Sequence, residues 1–147
     1  MSEDRKFQPA QVEQILRREW VDGTGVDYYE LVFTTTRLII ANLGGQQDLT
    51  GLGAAFSAIG RSAAKKTELQ TLSPDAIYAD NPRNISIRYT DITSITIKRP
   101  GFLGIGGLMV WRGNYESHNF RFSMKKKELQ DFIDFLQSIL KEKIIIK

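Results

Sequence analysis

Short runs of β-branched and aromatic residues recur along this chain, and turn-forming residues separate them. Such runs are typical of strands, because branched and aromatic side chains pack well on a pleated, half-buried surface. Seven runs have this character, and they span 28–34, 38–43, 76–79, 85–89, 93–99, 108–112 and 118–123. A series of short strands joined by turns predicts an antiparallel sandwich or a partly open barrel. We therefore expect a fold that is mainly β.

Three other segments show helical features. The last, "SMKKKELQDFIDFLQSILKEK", repeats apolar residues every three or four positions, which predicts an amphipathic helix packed on the sheet. Its predicted buried face consists of Leu129, Phe132, Ile133, Leu136 and Leu140. Residues 9–20 predict a short N-terminal helix that begins near Pro9. Residues 46–72 change abruptly to Gly, Ala and Ser, and we interpret them as a small-residue insertion, helical or compactly looped, between strands.

Length and composition limit the domain organisation and the chemistry. With 147 residues, 41% of them apolar, the chain can form its own core, so we expect a single domain over residues 1–147. The absence of cysteine excludes disulfides and cysteine-ligated metal sites. The sequence shows no signal peptide and no run of about 18 apolar residues, so we expect a cytoplasmic protein.

Charge is distributed unevenly along the chain, although the net charge is only +3. Residues 1–50 carry five Lys and Arg against eight Asp and Glu, a balance of −3. Residues 51–100 carry seven against four, and residues 101–147 carry eight against five, so each of these parts has a balance of +3. An acidic first third and a basic remainder indicate that one face of the protein could meet an anionic surface.

Two short motifs in the strand series carry a family resemblance. The first hairpin contains Thr34-Thr35-Thr36-Arg37-Leu38-Ile39, and a later strand is entered through Tyr89-Thr90-Asp91-Ile92-Thr93-Ser94-Ile95. With the closing helix, they resemble the "T-x-x-R-L-I" and "Y-x-D-I-x-x-I" patterns of the pleckstrin-homology-like (PH-like) superfamily, above all its GRAM and bacterial PH branches. The resemblance covers about residues 28–140. It implies a strongly bent, seven-stranded antiparallel sheet capped at one end by the C-terminal helix.

Physical chemistry gives these motifs structural roles. Threonine is β-branched and its hydroxyl can bond turn backbone, so Thr34 to Thr36 can shape a hairpin that lacks glycine. Arg37 could stack on an aromatic ring, or it could pair with Asp91 and so tie the hairpin to the later strand. We interpret Thr34, Arg37 and Asp91 as architecture rather than as a ligand site.

The motifs give no support for catalysis. In "GLGAAF" (51–56), Phe56 stands where a dinucleotide-binding loop needs its third glycine, and no strand–helix–strand pattern follows. His118 is the single histidine, and no group of His, Asp or Glu at metal-ligand spacing accompanies it. We therefore expect neither an enzyme nor a metal or other cofactor.

A binding surface is the remaining functional feature. Basic residues that could face an anion are Arg61, Lys65, Lys66, Lys98, Arg99, Lys125, Lys126 and Lys127. Phe102 and Leu103 follow Lys98-Arg99 on a glycine-rich bend, where they would form an apolar tip beside charge or else cap the sheet. Lys125 to Lys127 oppose the dipole of the helix they begin, so either they meet an anionic partner or packing holds the helix despite them.

Two functions fit these features. The first is a non-catalytic binding or assembly module that makes protein–protein or self-association contacts through a sheet edge, the 49–66 segment or the C-terminal "IIIK". The alternative is peripheral association with anionic membrane lipids through the basic, glycine-rich loops. Nucleic acid is disfavoured as a partner, because no stacking aromatic residues interleave a basic run.

Overall fold

The computed structural model of the protein describes residues 12–23, 27–45 and 62–147. Its strands are β1 (Ile15–Gly23), β2 (Asp27–Thr34), β3 (Arg37–Gly45), β4 (Ile85–Arg88), β5 (Ile92–Lys98), β6 (Gly106–Arg112), β7 (Glu116–Phe122) and β8 (Ile144–Ile146). Its helices are α1 (62–69), α2 (Pro74–Ala79) and α3 (Lys126–Leu140). Single 3₁₀ turns at Tyr89–Asp91 and Lys141–Lys143 lead into β5 and β8. The described chain is mainly β, as predicted.

The strands form one open sheet in the order β4-β3-β2-β1-β7-β6-β5-β8. β1 to β4 pair as one antiparallel meander, and β5 to β7 pair as a second. The two meanders meet where Asp22 and Gly23 of β1 pair with Arg121 and Phe120 of β7. β8 returns after α3 and pairs in parallel with β5, so β4 and β8 are the edge strands.

Helix α3 lies against the inner face of both meanders. Its buried residues are the five that the sequence predicted, Leu129, Phe132, Ile133, Leu136 and Leu140. They share one core with the inward-facing strand residues Val21, Leu31, Phe33, Leu38, Ile40, Ile87, Ile92, Ile95, Ile97, Leu108, Val110, Phe120 and Phe122. Phe33 meets the rings of Phe132 and Phe135 edge-on, at centroid distances of 5.8 and 5.5 Å. The prediction of a docked amphipathic helix is confirmed.

Strands β2 and β3 are buried on their outer face as well. A second core lies there between the sheet and the helices α1 and α2, and its buried residues are Val32, Ile39, Ala41, Leu43, Leu69 and Ile77. Strands buried on both faces have nearly continuous apolar runs, which explains "LVF" and "LIIANL" in this part of the sequence. Leu69 belongs to the 46–72 insertion, so the described end of that insertion is helical and contributes to the core.

A buried ion pair ties α1 to the sheet. The side chain of Glu30 on β2 is fully buried, and Arg18 of β1 donates a hydrogen bond from Nη1 to Glu30 Oε1 at 2.8 Å. Nη2 of Arg18 donates to the carbonyl oxygens of Leu69 and Gln70, at 3.4 Å each. Burial raises the pKa of Glu30, while the hydrogen bond and the charge of Arg18 oppose that shift.

The β2–β3 hairpin turns without glycine because the side chain of Thr34 supplies the turn's hydrogen bonds. Its hydroxyl oxygen accepts from the backbone N–H groups of Thr36 and Arg37, at 3.2 and 3.0 Å. The same hydroxyl donates to the carboxylate of Glu13, in the segment that precedes β1. The prediction that threonine shapes this hairpin is confirmed.

Arg37 ties the hairpin to two other segments, neither of which contains Asp91. Its Nη2 atom lies 2.9 Å from Glu13 Oε1 and 2.7 Å from Asp75 Oδ1. Its guanidinium also lies 5.9 Å from the ring centroid of Tyr78, as one of the two predicted arrangements requires. The predicted Arg37–Asp91 pair is wrong, because Glu13 and Asp75 hold the guanidinium while Asp91 is exposed in the turn before β5.

Several predictions of secondary structure are wrong. Residues 15–20 form β1 rather than the end of a helix over 9–20, because they pair with β2 along their length; residues 9–11 lie outside the described chain. Residues 76–79 lie in α2 rather than in a strand, because Ser73 Oγ caps this helix by accepting from the N–H of Ala76 at 3.3 Å, and Pro74 fits its first turn. The sheet has eight strands rather than seven, because β1 and β8 join it.

Leu136→Ala is expected to lower the free energy of unfolding by about 2–5 kcal/mol, because Leu136 is fully buried between α3 and the sheet. The exposed neighbour Gln137 provides the control, and Gln137→Ala should change the free energy of unfolding by less than about 0.5 kcal/mol. Urea denaturation of both variants measures the difference. An unchanged midpoint for Leu136→Ala would place α3 outside the core.

The contacts of Glu13 make the stability of the hairpin depend on pH. Partial burial works to raise the pKa of Glu13, but hydrogen bonds from Arg37 and from two threonine hydroxyls, with the charge of Arg37, outweigh it. The pKa of Glu13 therefore lies below its ordinary value of 4.5. A carboxyl whose pKa is depressed in the folded state stabilises the fold above its unfolded-state pKa, and that contribution is lost as the pH falls through the folded-state value.

Glu13→Gln is accordingly expected to be less stable than the wild type at neutral pH, and the difference should shrink as the pH falls below the ordinary value of 4.5. Urea denaturation of both proteins, at neutral pH and at several acidic pH values, measures this convergence. If the difference in unfolding free energy stays constant with pH, the carboxylate charge of Glu13 is not its source.

Candidate functional site

The outer face of β5, β6 and β7 stays accessible, unlike the outer face of β2 and β3. Side chains of these strands alternate, so that residues such as Ile97 and Val110 enter the inner core. Their outward-facing neighbours are half-buried or exposed, and they are Ser94, Thr96, Lys98, Met109, Trp111, Ser117, Asn119 and Arg121. Polar and basic side chains on this face are available to a ligand.

An apolar bend projects from one end of this meander. β5 ends, β6 begins and β7 ends there, and residues 101–105 form the bend within the 99–105 connection from β5 to β6. The N–H of Gly104 donates to the carbonyl of Gly101 at 2.9 Å, which places Phe102 and Leu103 at the centre of a β-turn. Phe102 is 98% exposed, Leu103 72% and Ile105 52%. Phe102 and Leu103 therefore form an exposed tip and do not cap the sheet.

Basic residues lie beside this bend. Lys98 ends β5 and Arg99 follows it. Lys147, just beyond β8, is held next to them by backbone hydrogen bonds to Ile97 and Arg99, at 2.8 and 3.2 Å. An open groove of about 610 Å³ lies between these cations and the middle of the sheet face, and it is lined by Thr96, Lys98, Arg99, Gly107, Leu108, Met109, Asn119, Phe120 and Lys147.

Lys125, Lys126 and Lys127 lie at the same end of the sheet. Phe122 pairs with Gly106 at the base of the bend. Lys125 follows Phe122 by three residues, and three residues of fully extended chain span at most about 11 Å. All three lysines are exposed, and Lys125 is the N-cap of α3 without a side-chain hydrogen bond to the helix. Their charge is therefore directed to solvent.

The cations at this end are free of ion pairs within the described residues. No carboxylate there lies within 4.0 Å of the charged groups of Lys98, Arg99, Lys147 or the three lysines of α3. These six unpaired cations lie at the same end of the sheet as the apolar turn, and Glu128 is the acidic residue in the first turn of α3. We call this surface the cationic end.

Three of the predicted basic residues do not belong to the cationic end. Lys65 on α1 pairs with Asp80 at 2.9 Å and with Glu68 at 3.2 Å, and these hydrogen bonds raise its pKa despite partial burial. Lys66 lies 5.3 Å from the ring centroid of Trp20 on the outer face of β1. Both lysines therefore serve the packing of α1, and Arg61 lies outside the described residues.

The site also contains three residues that were not predicted from the sequence, Ile105, Lys147 and Asn119. The alternation of polar and apolar residues in "HNFRF" indicates an outward position for Asn119, because Phe120 and Phe122 point inward and their neighbours must point outward. Lys147 gave no such signal, since it reaches the site only through the pairing of β8 with β5, about 50 residues earlier in the chain.

The described residues show neither a metal site nor a membrane-spanning helix. Nε2 of His118 lies 2.9 Å from Glu116 Oε2, and no group of three or more His, Asp or Glu residues among the described ones could hold a metal ion. None of the described helices is both long and apolar enough to cross a membrane. No protein-family model matches this chain, and no curated protein is similar to it in sequence.

Proposed function

We propose that this protein is a non-catalytic, PH-like binding module that attaches peripherally to anionic membrane surfaces through the 101–105 bend and the cationic end around it. The observation that carries the proposal is the exposure of Phe102, Leu103 and Ile105 on one bend beside six unpaired cations. An apolar tip beside positive charge is the combination that favours a membrane interface, where acyl chains lie beneath anionic headgroups.

Two contributions combine at such a surface. A large apolar side chain that leaves water contributes about 1.5–3 kcal/mol, and this applies to Phe102 and Leu103. Each lysine or arginine close to an anionic membrane contributes about 1 kcal/mol. Neither contribution alone gives stable attachment, since a single weak anchor binds only marginally. The bend and the cations are therefore expected to act together, and binding should weaken steeply as salt screens the charges.

The PH-like part of the proposal is supported by the order of the elements and by the contact between the two motifs. A four-stranded and a three-stranded antiparallel meander are followed by one helix that packs on both. The hydroxyl of Tyr89 donates to the carbonyl oxygen of Thr34 at 2.6 Å, so the two motifs meet in space. In this proposal β8 and the helices α1 and α2 are additions to the PH-like arrangement.

The surfaces suggested for protein–protein contacts and self-association have less support. "IIIK" is already engaged, because β8 pairs with β5 and Ile144 and Ile146 pack against the inner core. Most of the 49–66 segment lies outside the described residues, and Lys65 and Lys66 within it contact their own domain. The edges β4 and β8 remain available, and assembly through them is the outcome expected if membrane binding fails.

Replacing Phe102, Leu103 and Ile105 by serine is expected to abolish sedimentation with anionic vesicles while leaving the unfolding midpoint nearly unchanged, because these side chains are exposed. Tyr115→Ser is the matched control: Tyr115 is also 98% exposed, but it lies in the β6–β7 turn at the opposite end of the meander. Vesicles of neutral lipid provide the second comparison. A wild type that does not sediment with anionic vesicles, and whose light scattering shows self-association, would replace this proposal by the assembly function.

Substituting the lysines of α3 by glutamate is expected to raise the stability of the fold and to weaken binding to anionic vesicles. Lys125→Glu and Lys126→Glu should each raise stability by a few tenths of a kcal/mol, because they replace cations at the positive end of the helix dipole by anions. The same substitutions should weaken binding to anionic vesicles by about 1 kcal/mol or more each. Thermal unfolding and vesicle sedimentation measure the two effects. Unchanged sedimentation would remove these lysines from the membrane-facing surface.

A further inference from the structure

Gly107, the second residue of β6, lies on the outer face of the sheet beside the bend, and the fold does not require glycine there. Its backbone lies outside the left-handed region, and a Cβ added to it would meet Lys98 Cβ at 3.6 Å and the carbonyl oxygen of Phe120 at 4.0 Å, both ordinary contacts. The preceding residue shows the contrast. At Gly106 a Cβ would collide with the ring of Phe122, so glycine is needed for packing.

A glycine within a strand weakens the sheet, because it has no side chain to pack and loses more freedom on folding. A β-branched residue at 107 would serve the sheet better, and its Cβ would make only ordinary contacts. A strand glycine often marks a bulge, a tight bend, or a place where a ligand or another backbone approaches closely, and the register at Gly107 shows no bulge. The absence of a side chain at Gly107 leaves a hollow that is part of the groove described above.

The pairing of the strands places a basic residue on each side of Gly107. Gly107 pairs with Lys98 of β5 on one side and with Arg121 of β7 on the other. The two cationic residues are therefore two strand spacings apart, about 10 Å between backbones. Arg99 and Lys147 line the same groove at the end nearer the bend. Asp22 is the next residue in this row beyond Arg121, and the side chain of Arg121 donates to the carbonyl of Gly23 at 3.3 Å.

The hollow also offers neutral hydrogen-bonding groups. Thr96 and Asn119 face the groove from the next row of the sheet, on either side of Met109. A hydroxyl and an amide next to two lysines and an arginine suit a compact dianion with several acceptor oxygens. A phosphate monoester has this character, since it carries a charge of about −1.5 to −2 at neutral pH and three acceptor oxygens.

We infer that the hollow over Gly107 binds a phosphate monoester, and that on the membrane this is the headgroup of an anionic lipid. The inference rests on the proposed function for its lipid source, because the groove opens beside the 101–105 bend and a lipid engaged there would bring its headgroup to the hollow. A soluble phosphate monoester presents the same chemistry without the membrane, so the two sources can be separated by experiment.

The test compares wild type, Gly107→Val and the double variant Lys98→Ala/Arg99→Ala on vesicles with phosphatidic acid or with phosphatidylserine, matched for surface charge. The wild type is expected to bind the phosphatidic acid vesicles about fivefold more tightly, as one further charge contact would give. Gly107→Val should bind both vesicles equally, at the wild-type affinity for phosphatidylserine, because a valine fills the hollow and leaves the bend intact. The double variant should lose the preference and weaken on both. Unfolding midpoints of all three proteins show whether a variant has lost its fold.

The outcomes separate this inference from the proposed function. Equal wild-type binding to the two vesicles, or a preference that persists in folded Gly107→Val, would overturn the inference while leaving membrane attachment in place. Glycerol phosphate supplies the soluble arm, and shifts of the amide NMR signals of Met109 and Asn119 in wild type, absent in Gly107→Val, would support the site. If those shifts occur in a wild type that binds no vesicle, the phosphate site stands and the membrane function fails.

Discussion

Helix α3 covers the inner face of both meanders, whereas α1 and α2 cover the outer face of β2 and β3. The remainder of the structure depends on this unequal coverage. Strands β2 and β3 are buried on both sides and hold the sheet together, so their sequences are almost continuously apolar. β5 to β7 have one core face and one face in solvent, which leaves room for Lys98, Gly107 and Asn119 where a fully covered sheet would need apolar residues.

The basic residues of the two meanders also differ in whether they form ion pairs. In the N-terminal half, basic residues form ion pairs within the fold. Arg18 pairs with buried Glu30, Arg37 pairs with Glu13 and Asp75, and Lys65 pairs with Asp80. At the far end of the β5–β7 meander the cations have no such partners among the described residues. Their mutual repulsion favours an external anion, and the exposed turn between them supplies the apolar contact that charge alone lacks. The function proposed for this end therefore follows from the unequal coverage of the sheet, because the helices bury both faces of β2 and β3 and leave one face of β5 to β7 in solvent.

Sequence patterns predicted what depends on local periodicity and failed where a distant partner decides. The buried face of α3 and the threonine turn at Thr34 follow from spacing and side-chain chemistry alone. Residues 15–20 have apolar positions compatible with a helix, but pairing with β2 makes them a strand. α2 was missed although Ser73-Pro74 is a helix-start signal. The groove over Gly107 could not be predicted, because it depends on the register of three strands and on β8 bringing Lys147 to them.

If the 101–105 bend enters the membrane interface on binding, a probe at position 102 will report the change of environment. The chain has no cysteine, so Phe102→Cys and Tyr115→Cys each give a single site for an environment-sensitive dye. With anionic vesicles, we expect the emission of the dye at 102 to shift to shorter wavelength and the dye to become shielded from an aqueous quencher, while the dye at 115 stays accessible. A dye at 102 that remains accessible on vesicle-bound protein, or that responds like the dye at 115, would contradict this expectation.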